Sequence, residues 1–560
     1  MRIHSIPILS WLPAYQGEWL RPDLIAGMTT SAVIIPKAMA YATIAGVPVE
    51  IGLYTALVPM MIYAILGTSR PLSVSTTTAI AILSAGELAL VVPGGNSADL
   101  VAAATTLALL VGAVLVLAWV LKLGFLANFI SAPVLTGFKA GIGVIVVVDQ
   151  APKLLGLHFI KTGFFRDLGS ILGKIPETIV PTLVLSLATL ALLILLERRT
   201  PRVPAPLVAV VVGIALSGLI GFGGAGVELV GKIPSGLPSF ELPNLSLVEK
   251  LWPAALGIAL MSFTESVAAG RAFTKYGEPR PDANQELLAL GLSNLAGGFF
   301  QVMPAGGGTS QTAVNRGAGA RTQVSELVTV AMVVATVLVL APMISLMPQA
   351  TLAAVVVATS IPLINPEEFR EIRRVRSMEF WWAIAAVTGV ILLGALKGIL
   401  VAVVASMLAM LHQANHPLVY VIGRKRGTNV FRPLSAEHPD DETFPGLLIF
   451  RPQGRIHFAN AQRVGDKMWP LVHEKKPWMI VIDCRAVPDI EYTALMMLAD
   501  AERKLRESGI TLCLAALNPE ALRAVERSPI GKTLGPLRIF TTLDQVVSAY
   551  QKHMAMERHG

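Results

Sequence analysis

The sequence predicts a polytopic α-helical membrane protein of about 14 spans, seven in each half, followed by a C-terminal α/β domain. Three observations carry that prediction. Charged residues make up 15% of the chain and hydrophobic ones 54%, where a soluble globular protein has roughly 25% charged residues. The deficit lies between Leu24 and Leu411, and from Asn429 onward the composition returns to that of an ordinary soluble protein. Finally, two short polar runs interrupt the apolar part: Ser73 to Thr78 and, about 230 residues later, Pro304 to Thr312. Backbone breaks at membrane depth are tolerated where they line a protein cavity. A matched pair of breaks is the mark of a transport site made from facing half-helices.

A spanning helix needs about 20 mostly apolar residues. The first half offers Leu24–Ala45, Gly52–Leu66, Leu100–Leu121, Pro133–Val148, Ile179–Leu196 and Val203–Ile220. The second offers Trp252–Ala272, Leu287–Phe300, Glu326–Leu346, Gln349–Ile364, Phe380–Leu396 and Gly398–Leu411. Thr76–Val92 and Ser310–Gly319 are shorter or more polar, and they complete the count as the segments that follow the two breaks. Arg2, Arg21, Arg70, Lys122, Arg198, Arg199, Arg202, Arg271, Lys275, Arg280, Arg316, Arg321 and the Arg-rich run 367–376 fall on one side of the membrane. Lys153, Lys161, Arg166 and Lys174 fall on the other. The excess places both termini in the cytoplasm of a cell membrane.

The formal net charge of +8 follows from those loops and not from nucleic-acid binding, because no basic stripe with interleaved aromatics is present. Residues 1–22 form a cytoplasmic N-terminus without the apolar core and cleavage site of a signal peptide. Residues 415–445, with Arg424-Lys425-Arg426 and Pro439-Asp440-Asp441, read as a polar linker. After it, Leu447–Phe450, Met479–Asp483 and Thr511–Leu517 read as strands, and Thr493–Glu507, Asn518–Glu526 and Leu543–His553 as amphipathic helices. This alternation defines the α/β domain. Cys484 and Cys513 sit in its apolar runs, as buried reduced thiols.

Few residues could carry chemistry. Glu265 lies inside Trp252–Ala272, and a carboxyl group at membrane depth is costly when ionised and usually functional. It can take up and release a proton as its exposure changes. A neutral Glu265 that only bonds a neighbouring helix is the plainer alternative. Lys37 lies deep in the first span, just after Pro36, and shares a helix face with Tyr41 four residues on. An ammonium beside a phenol suits an anion. A salt bridge from Lys37 to Glu265 without any ligand is the competing reading. Ser75, Thr76, Thr77 and Thr78 open the first short helix, and Thr309, Ser310, Gln311 and Thr312 open the second. Free N–H groups at helix starts attract anions, and Gly306-Gly307-Gly308 allows close backbone approach. The nine histidines show no metal spacing, and there is neither a nucleotide-binding glycine loop nor a nucleophile–base pair. An enzyme is not expected, and no cofactor beyond the proton as coupling ion.

With these residues placed, the chain resembles the SulP anion-permease family, the group of sulfate transporters, pendrin and prestin. The resemblance rests on Asp23-Leu24-Ile25-Ala26-Gly27, Pro36 with Met39-Ala40-Tyr41-Ala42, Gly52-Leu53-Tyr54 and Gly67-Thr68-Ser69-Arg70. It continues through Asn284-Gln285-Glu286-Leu287, Gly291-Leu292-Ser293-Asn294, Ala313-Val314-Asn315 and Gly317-Ala318-Gly319-Ala320-Arg321-Thr322. It implies a seven-plus-seven inverted repeat, with a core of about 23–122 and 250–345, a gate of about 123–222 and 346–414, and a STAS domain over 446–555. It also implies a homodimer, elevator-like movement of core against gate, and Glu265 as the proton-coupling acid. The family often has Gln where this chain has Lys37, and Arg where it has Gln311 after Ser310. A positive charge has therefore moved across the site, and Lys37 is expected to replace the missing guanidinium. In the STAS domain Tyr492 takes the usual phospho-acceptor place, which leaves Thr493 as the candidate regulatory position for a cytoplasmic partner.

The expected function is secondary active transport, in the form of proton-coupled uptake of sulfate or a related inorganic oxyanion. A dicarboxylate or bicarbonate carrier, or an exchanger, is the alternative within transport. A passive anion channel and a STAS-based signalling scaffold are alternatives of other classes.

Overall fold

The computed structural model describes residues 6–559 apart from 95, 129–130, 160–162, 201–202, 222–225, 232 and 235. The expected loop cations Arg2, Lys161 and Arg202 lie outside the described residues. The chain forms two compact units, up to Met407 and from Leu408.

The first unit is helical. In the first half come α1 (Pro7–Trp11), α2 (Leu20–Ala45), α3 (Val49–Thr55), α4 (Val58–Leu66), a two-residue strand β1 (Val74–Ser75), α5 (Thr78–Val91), α6 (Ser97–Val120), α7 (Ala132–Leu155), α8 (Phe164–Lys174), α9 (Val180–Arg199) and α10 (Ala205–Ile220). The second half follows with α11 (Val248–Ala272), α12 (Ala283–Gly297), β2 (Gly306–Gly307), α13 (Thr309–Gly317), α14 (Val324–Ala335), α15 (Ala341–Ile344), α16 (Gln349–Ser360), α17 (Pro366–Val375), α18 (Ser377–Leu393) and α19 (Ala395–Ala414). Among the described residues eight helical segments are long and apolar enough to cross a membrane, and four shorter apolar helices join them. The polar α12 and α13 are spans of neither kind by hydropathy.

Two helix groups emerge from the packing. In one, α6 lies against α11 and α12, and α14 against α2; in the other, α7 lies against α16 and α18, and α16 also against α9. Small residues let these backbones approach, as they do wherever lipid removes the hydrophobic driving force between helices. A Cβ on Gly112 of α6 would come within 2.4 Å of Leu295 N on α12. One on Gly52 of α3 would come within 2.0 Å of the Ala38 carbonyl oxygen on α2. Gly52–Leu66, expected as one span, is divided between α3 and α4 around Ala56 and Leu57. Arg316, expected as a loop cation, is instead buried and pairs with Glu278 at 2.5 Å.

The second unit holds a six-stranded mixed sheet. Its strands are β3 (Val419–Arg424), β4 (Phe431–Pro433), β5 (Leu447–Pro452), β6 (Met479–Asp483), β7 (Thr511–Ala515) and β8 (Ile539–Phe540), in the order β4-β3-β5-β6-β7-β8. β5 to β8 run parallel, and β3 is antiparallel to both of its neighbours. Helices α20 (Ala461–Lys475), α21 (Tyr492–Glu507), α22 (Pro519–Glu526) and α23 (Pro529–Leu534) contribute to one buried cluster, and α24 (Leu543–His559) to the other. Alternate strand residues point to opposite faces: Leu448 and Phe450 belong to the first cluster, Leu447 and Ile449 to the second.

The expected linker 415–445 is corrected here, because it contains β3 and β4. Its charges conceal the strand run Val419-Tyr420-Val421-Ile422, yet those same charges tie the edge of the sheet together. Arg424 donates twice to Glu442 (2.9 and 2.8 Å) and Arg432 twice to Asp441 (2.8 Å each). The Arg432 guanidinium holds the Asp441 carboxyl below the usual carboxylate range. Cys484 and Cys513 are free and buried, and burial pushes their thiols up to about 12 and about 11.

Candidate functional site

The two polar breaks meet. β1 and β2 pair antiparallel, Val74 opposite Gly307 and Ser75 opposite Gly306, so each break supplies hydrogen-bond partners for the other where lipid offers none. Gly308 N donates to the Ser73 carbonyl at 3.1 Å, and Ser73 N to Thr312 Oγ1 at 3.1 Å. Thr76 Oγ1 donates to the Pro304 carbonyl at 2.7 Å. Gln311 clamps the seam from its side chain: Nε2 donates to the Ser73 carbonyl (2.9 Å) and Oε1 accepts from Ser75 Oγ (3.1 Å). Neighbouring helices satisfy what remains. Gly307 N donates to Ser266 Oγ at 2.6 Å, Ala305 N to Asn294 Oδ1 at 2.8 Å and Met303 N to Thr55 Oγ1 at 3.1 Å. The glycines are required by space. A Cβ on Gly306 would lie 2.8 Å from both Ile80 Cδ1 and Ser262 Oγ, and one on Gly307 3.0 Å from Ser266 Cα.

This seam sends a half-helix out of each break. Thr77 is the N-cap of α5, accepting from Ile80 N at 3.4 Å, and the same hydroxyl donates to Glu265 Oε2 at 3.0 Å. α13 starts from Gly308 with no side-chain cap, so its first N–H groups are left to other partners. Lys37 reaches that start: its Nζ donates to Ser310 Oγ at 3.0 Å. Each half-helix thus has one charged side chain from another helix at its first turn, an acid at α5 and an ammonium at α13. No ion pair joins Lys37 to Glu265 among the described residues. Tyr41, one turn beyond Lys37, faces Thr78 and Glu265.

Exposure divides the expected residues. Thr309 and Ser310 are exposed and Glu265 partly so, whereas Lys37 is 8% and Tyr41 6% exposed. Ser75, Thr76, Gln311 and Thr312 are buried, and their side-chain polar atoms are engaged in the seam. In this structure those four form the scaffold of the site. The groups free to meet a ligand are the α13 N–H groups, Thr309, Ser310, the remaining donors of Lys37, Tyr41 and Glu265.

Two charged residues of the opposing helix group lie within electrostatic range of the site. Glu265 feels the field of Lys139 on α7, and Lys37 that of Glu197 on α9. Neither was singled out from sequence, although Lys139 interrupts the apolar run Pro133–Val148 just as Lys37 interrupts the first span. A third unexpected residue is Glu326, which is fully buried. Its Oε1 accepts from Asn315 Nδ2 (2.7 Å) and its Oε2 from Ser73 Oγ (2.9 Å), so it grips both halves of the seam from behind. It stood at the edge of a span, where an acid is unremarkable. A cavity of about 550 Å³ lined by Asp149, Lys153, His158, Thr182 and Glu228 lies elsewhere and includes none of the expected site residues.

Residues 20–386 match the model of the sulfate permease family, and residues 438–546 that of the STAS domain. The chain belongs to the sulfate permease family. It is a multi-pass membrane protein of an anion-transporting family, with a C-terminal STAS domain. A probable sulfate transporter of Mycobacterium tuberculosis (strain H37Rv) is 34% identical over 561 residues, covering 98% of this chain and 100% of the relative. The chloroplastic sulfate transporter 4.1 of Arabidopsis thaliana is 28% identical, covering 97% and 82%. Among solved structures, the murine anion transporter Slc26a9 superposes with a TM-score of 0.87 over 98% of this chain and 94% of its own, at 22% identity. The transmembrane domain of the cyanobacterial bicarbonate transporter BicA superposes with 0.61 over 70% and 98%, at 23% identity. At such identities these likenesses concern the fold. In the second unit, Tyr492 is 73% exposed at the start of α21, and Thr493 beside it is exposed too.

Proposed function

We propose that this protein takes up sulfate or a related inorganic oxyanion by proton-coupled secondary active transport. One observation carries the reading: an ammonium and a titratable carboxyl stand at the first turns of two half-helices whose breaks are sewn together. The oxyanion would accept from the uncapped N–H groups of α13, from Thr309 and Ser310, and from the Lys37 ammonium. Helix starts favour negative charge, and an ammonium keeps two donors after bonding Ser310. Glu265 would carry the proton. As a carboxylate it would repel the anion. As a neutral acid it would not, so proton and anion would bind together.

The packing of two helix groups supports a core (α2–α6, α11–α14) that moves against a gate (α7–α10, α16–α19) in an elevator-like way. Lys139 and Glu197 then belong to the gate and would change partners during the movement. We place the protein in the cell membrane as a homodimer with both termini in the cytoplasm, with the STAS domain serving assembly or regulation and Thr493 open to modification. The test is uptake of labelled sulfate into proteoliposomes under an imposed pH gradient, with succinate, fumarate, bicarbonate and chloride as competitors. Uptake that rises with an acidic exterior and is not competed by succinate, fumarate, bicarbonate or chloride supports the reading. A steady anion current without proton movement would replace it with a channel.

A further inference from the structure

Between α7 and α9 the chain forms α8, a helix that the transport site does not use. It has 11 residues, and Arg166, Asp167 and Lys174 are among them. Such a helix is too short and too charged to span a bilayer. Its last turn is pinned to the end of α7. Lys174 Nζ donates to the carbonyl oxygen of His158, three residues beyond α7, at 3.1 Å. Ile179 N, just ahead of α9, donates to the carbonyl oxygen of Leu155, the last residue of α7, at 3.0 Å. Both α7 and α9 are long and apolar enough to cross a membrane. The last turn of α8 therefore stands where one span ends and the next begins, which is the membrane surface.

The helix has three sides. On the first, Ile171 is buried and Phe164, Asp167 and Lys174 are half-buried; α8 lies against α7. The second holds Phe165, Leu168 and Leu172, at the spacings of three and four that share a helix face, and Ile175 just past the helix end continues it. These four are exposed, at 59, 37, 61 and 51%. The third side holds Arg166 and Gly173, seven apart and also exposed. The outward half of α8 is thus divided along its length into an apolar strip and a strip with no apolar side chain. Five positions after Ile175, Val180 opens the exposed apolar row of α9, which continues with Val184 and Leu187. On a spanning helix such a row faces lipid. The apolar strip of α8 therefore leads along the chain into a lipid-facing surface, and a charged, one-sided helix at that level fits one partner: the boundary between headgroups and acyl chains.

We propose that α8 is an in-plane membrane anchor, which sinks Phe165, Leu168, Leu172 and Ile175 into the bilayer interface and keeps Arg166 at the level of the headgroups. Burial of apolar surface drives this seating, so it does not require an anionic lipid. The proposal is independent of which anion is transported, because α8 contains none of the transport-site residues.

The test places a nitroxide on one introduced cysteine of the full-length protein in phosphatidylcholine vesicles. The four variants are Phe165→Cys, Arg166→Cys, Leu172→Cys and Gly173→Cys. All four positions are exposed, and a Cβ on Gly173 would meet nothing within 4 Å, so each variant should fold. Cys484 and Cys513 are buried, and wild-type protein treated with the same label sets the background. Spin relaxation by oxygen, which concentrates in lipid, is compared with relaxation by a nickel chelate, which stays in water. Labels at 165 and 172 should respond more to oxygen, and labels at 166 and 173 more to the chelate. The ratio should place the first pair about 5 Å deeper than the second. Equal access of the chelate to all four positions would put the apolar strip in water and overturn the proposal. Shielding of 165 and 172 from both relaxants would overturn it as well, since protein would then cover the strip; spin–spin broadening between subunits would identify the cover as a second copy.

Discussion

Replacing Lys37 by Gln removes the ammonium at the start of α13 and leaves a neutral amide donor on a side chain one atom shorter. A hydrogen bond to a charged group contributes about 1.5–3 kcal/mol, and a neutral one about 0.5–1.5. The glutamine amide can still donate, so the loss in anion binding is the difference, about 1–2 kcal/mol, or roughly 5- to 30-fold in apparent KM. Coulomb attraction in a partly dry site adds to this, with an upper bound of about 4 kcal/mol for unit charges 4 Å apart. The assay is the initial rate of labelled-sulfate uptake into proteoliposomes against concentration. Lys37→Arg should keep affinity close to wild type. Gln311→Arg, which would restore the guanidinium common in the family, should rescue Lys37→Gln only in part. Gln311 accepts from Ser75 Oγ and donates to the Ser73 carbonyl, and an arginine can take over only the donation. An unchanged KM in well-folded Lys37→Gln would refute the assignment of Lys37 as counter-charge.

Glu265→Gln should retain the bond to Thr77, now with a permanently neutral group, and abolish the gain in uptake seen when the exterior is acidified; full pH dependence in this variant would remove Glu265 from coupling. Glu326→Leu should lower uptake strongly by removing the acceptor of the Ser73 hydroxyl and one of the two acceptors of Asn315 Nδ2 in the buried seam, at about 1–3 kcal/mol per orphaned group, whereas Glu326→Gln, which can bond both neighbours after its amide and the Ser73 hydroxyl rotate, should cost much less. Comparable losses in the two variants would show that the charge, not the seam, is what matters there. Gly52→Ala should depress the yield and thermal stability of folded protein, because its methyl would press on the backbone oxygen of Ala38, which no rotamer change can move; a normal melting profile would show that α2 and α3 can separate.

The residues of the candidate site were conspicuous beforehand because membranes make exceptions stand out. A lysine or glutamate in an apolar run, or a polar break without loop length, has few bland explanations, so Lys37, Glu265 and the runs at Ser73 and Pro304 stood out. The roles within those runs were less legible. Ser75, Thr76, Gln311 and Thr312 have the chemistry of ligand groups, and only the strand pairing of β1 with β2 turns their donors and acceptors toward one another. Lys139 obeyed the same rule as Lys37 and was passed over. Glu326 gave no signal, because an acid at the edge of a span usually faces water.

Composition and periodicity by themselves determined that this chain is a many-helix membrane protein with an α/β tail and that its halves carry matching interruptions. Those conclusions depend on the cost of placing charge or unpaired backbone in lipid, which is a property of local sequence. The tertiary structure decided which residues meet: Lys37 with Ser310 across 273 positions, Thr77 with Glu265 across 188, and the linker charges folded into a sheet edge. Such contacts depend on how separate helices cross, and no local pattern encodes a crossing.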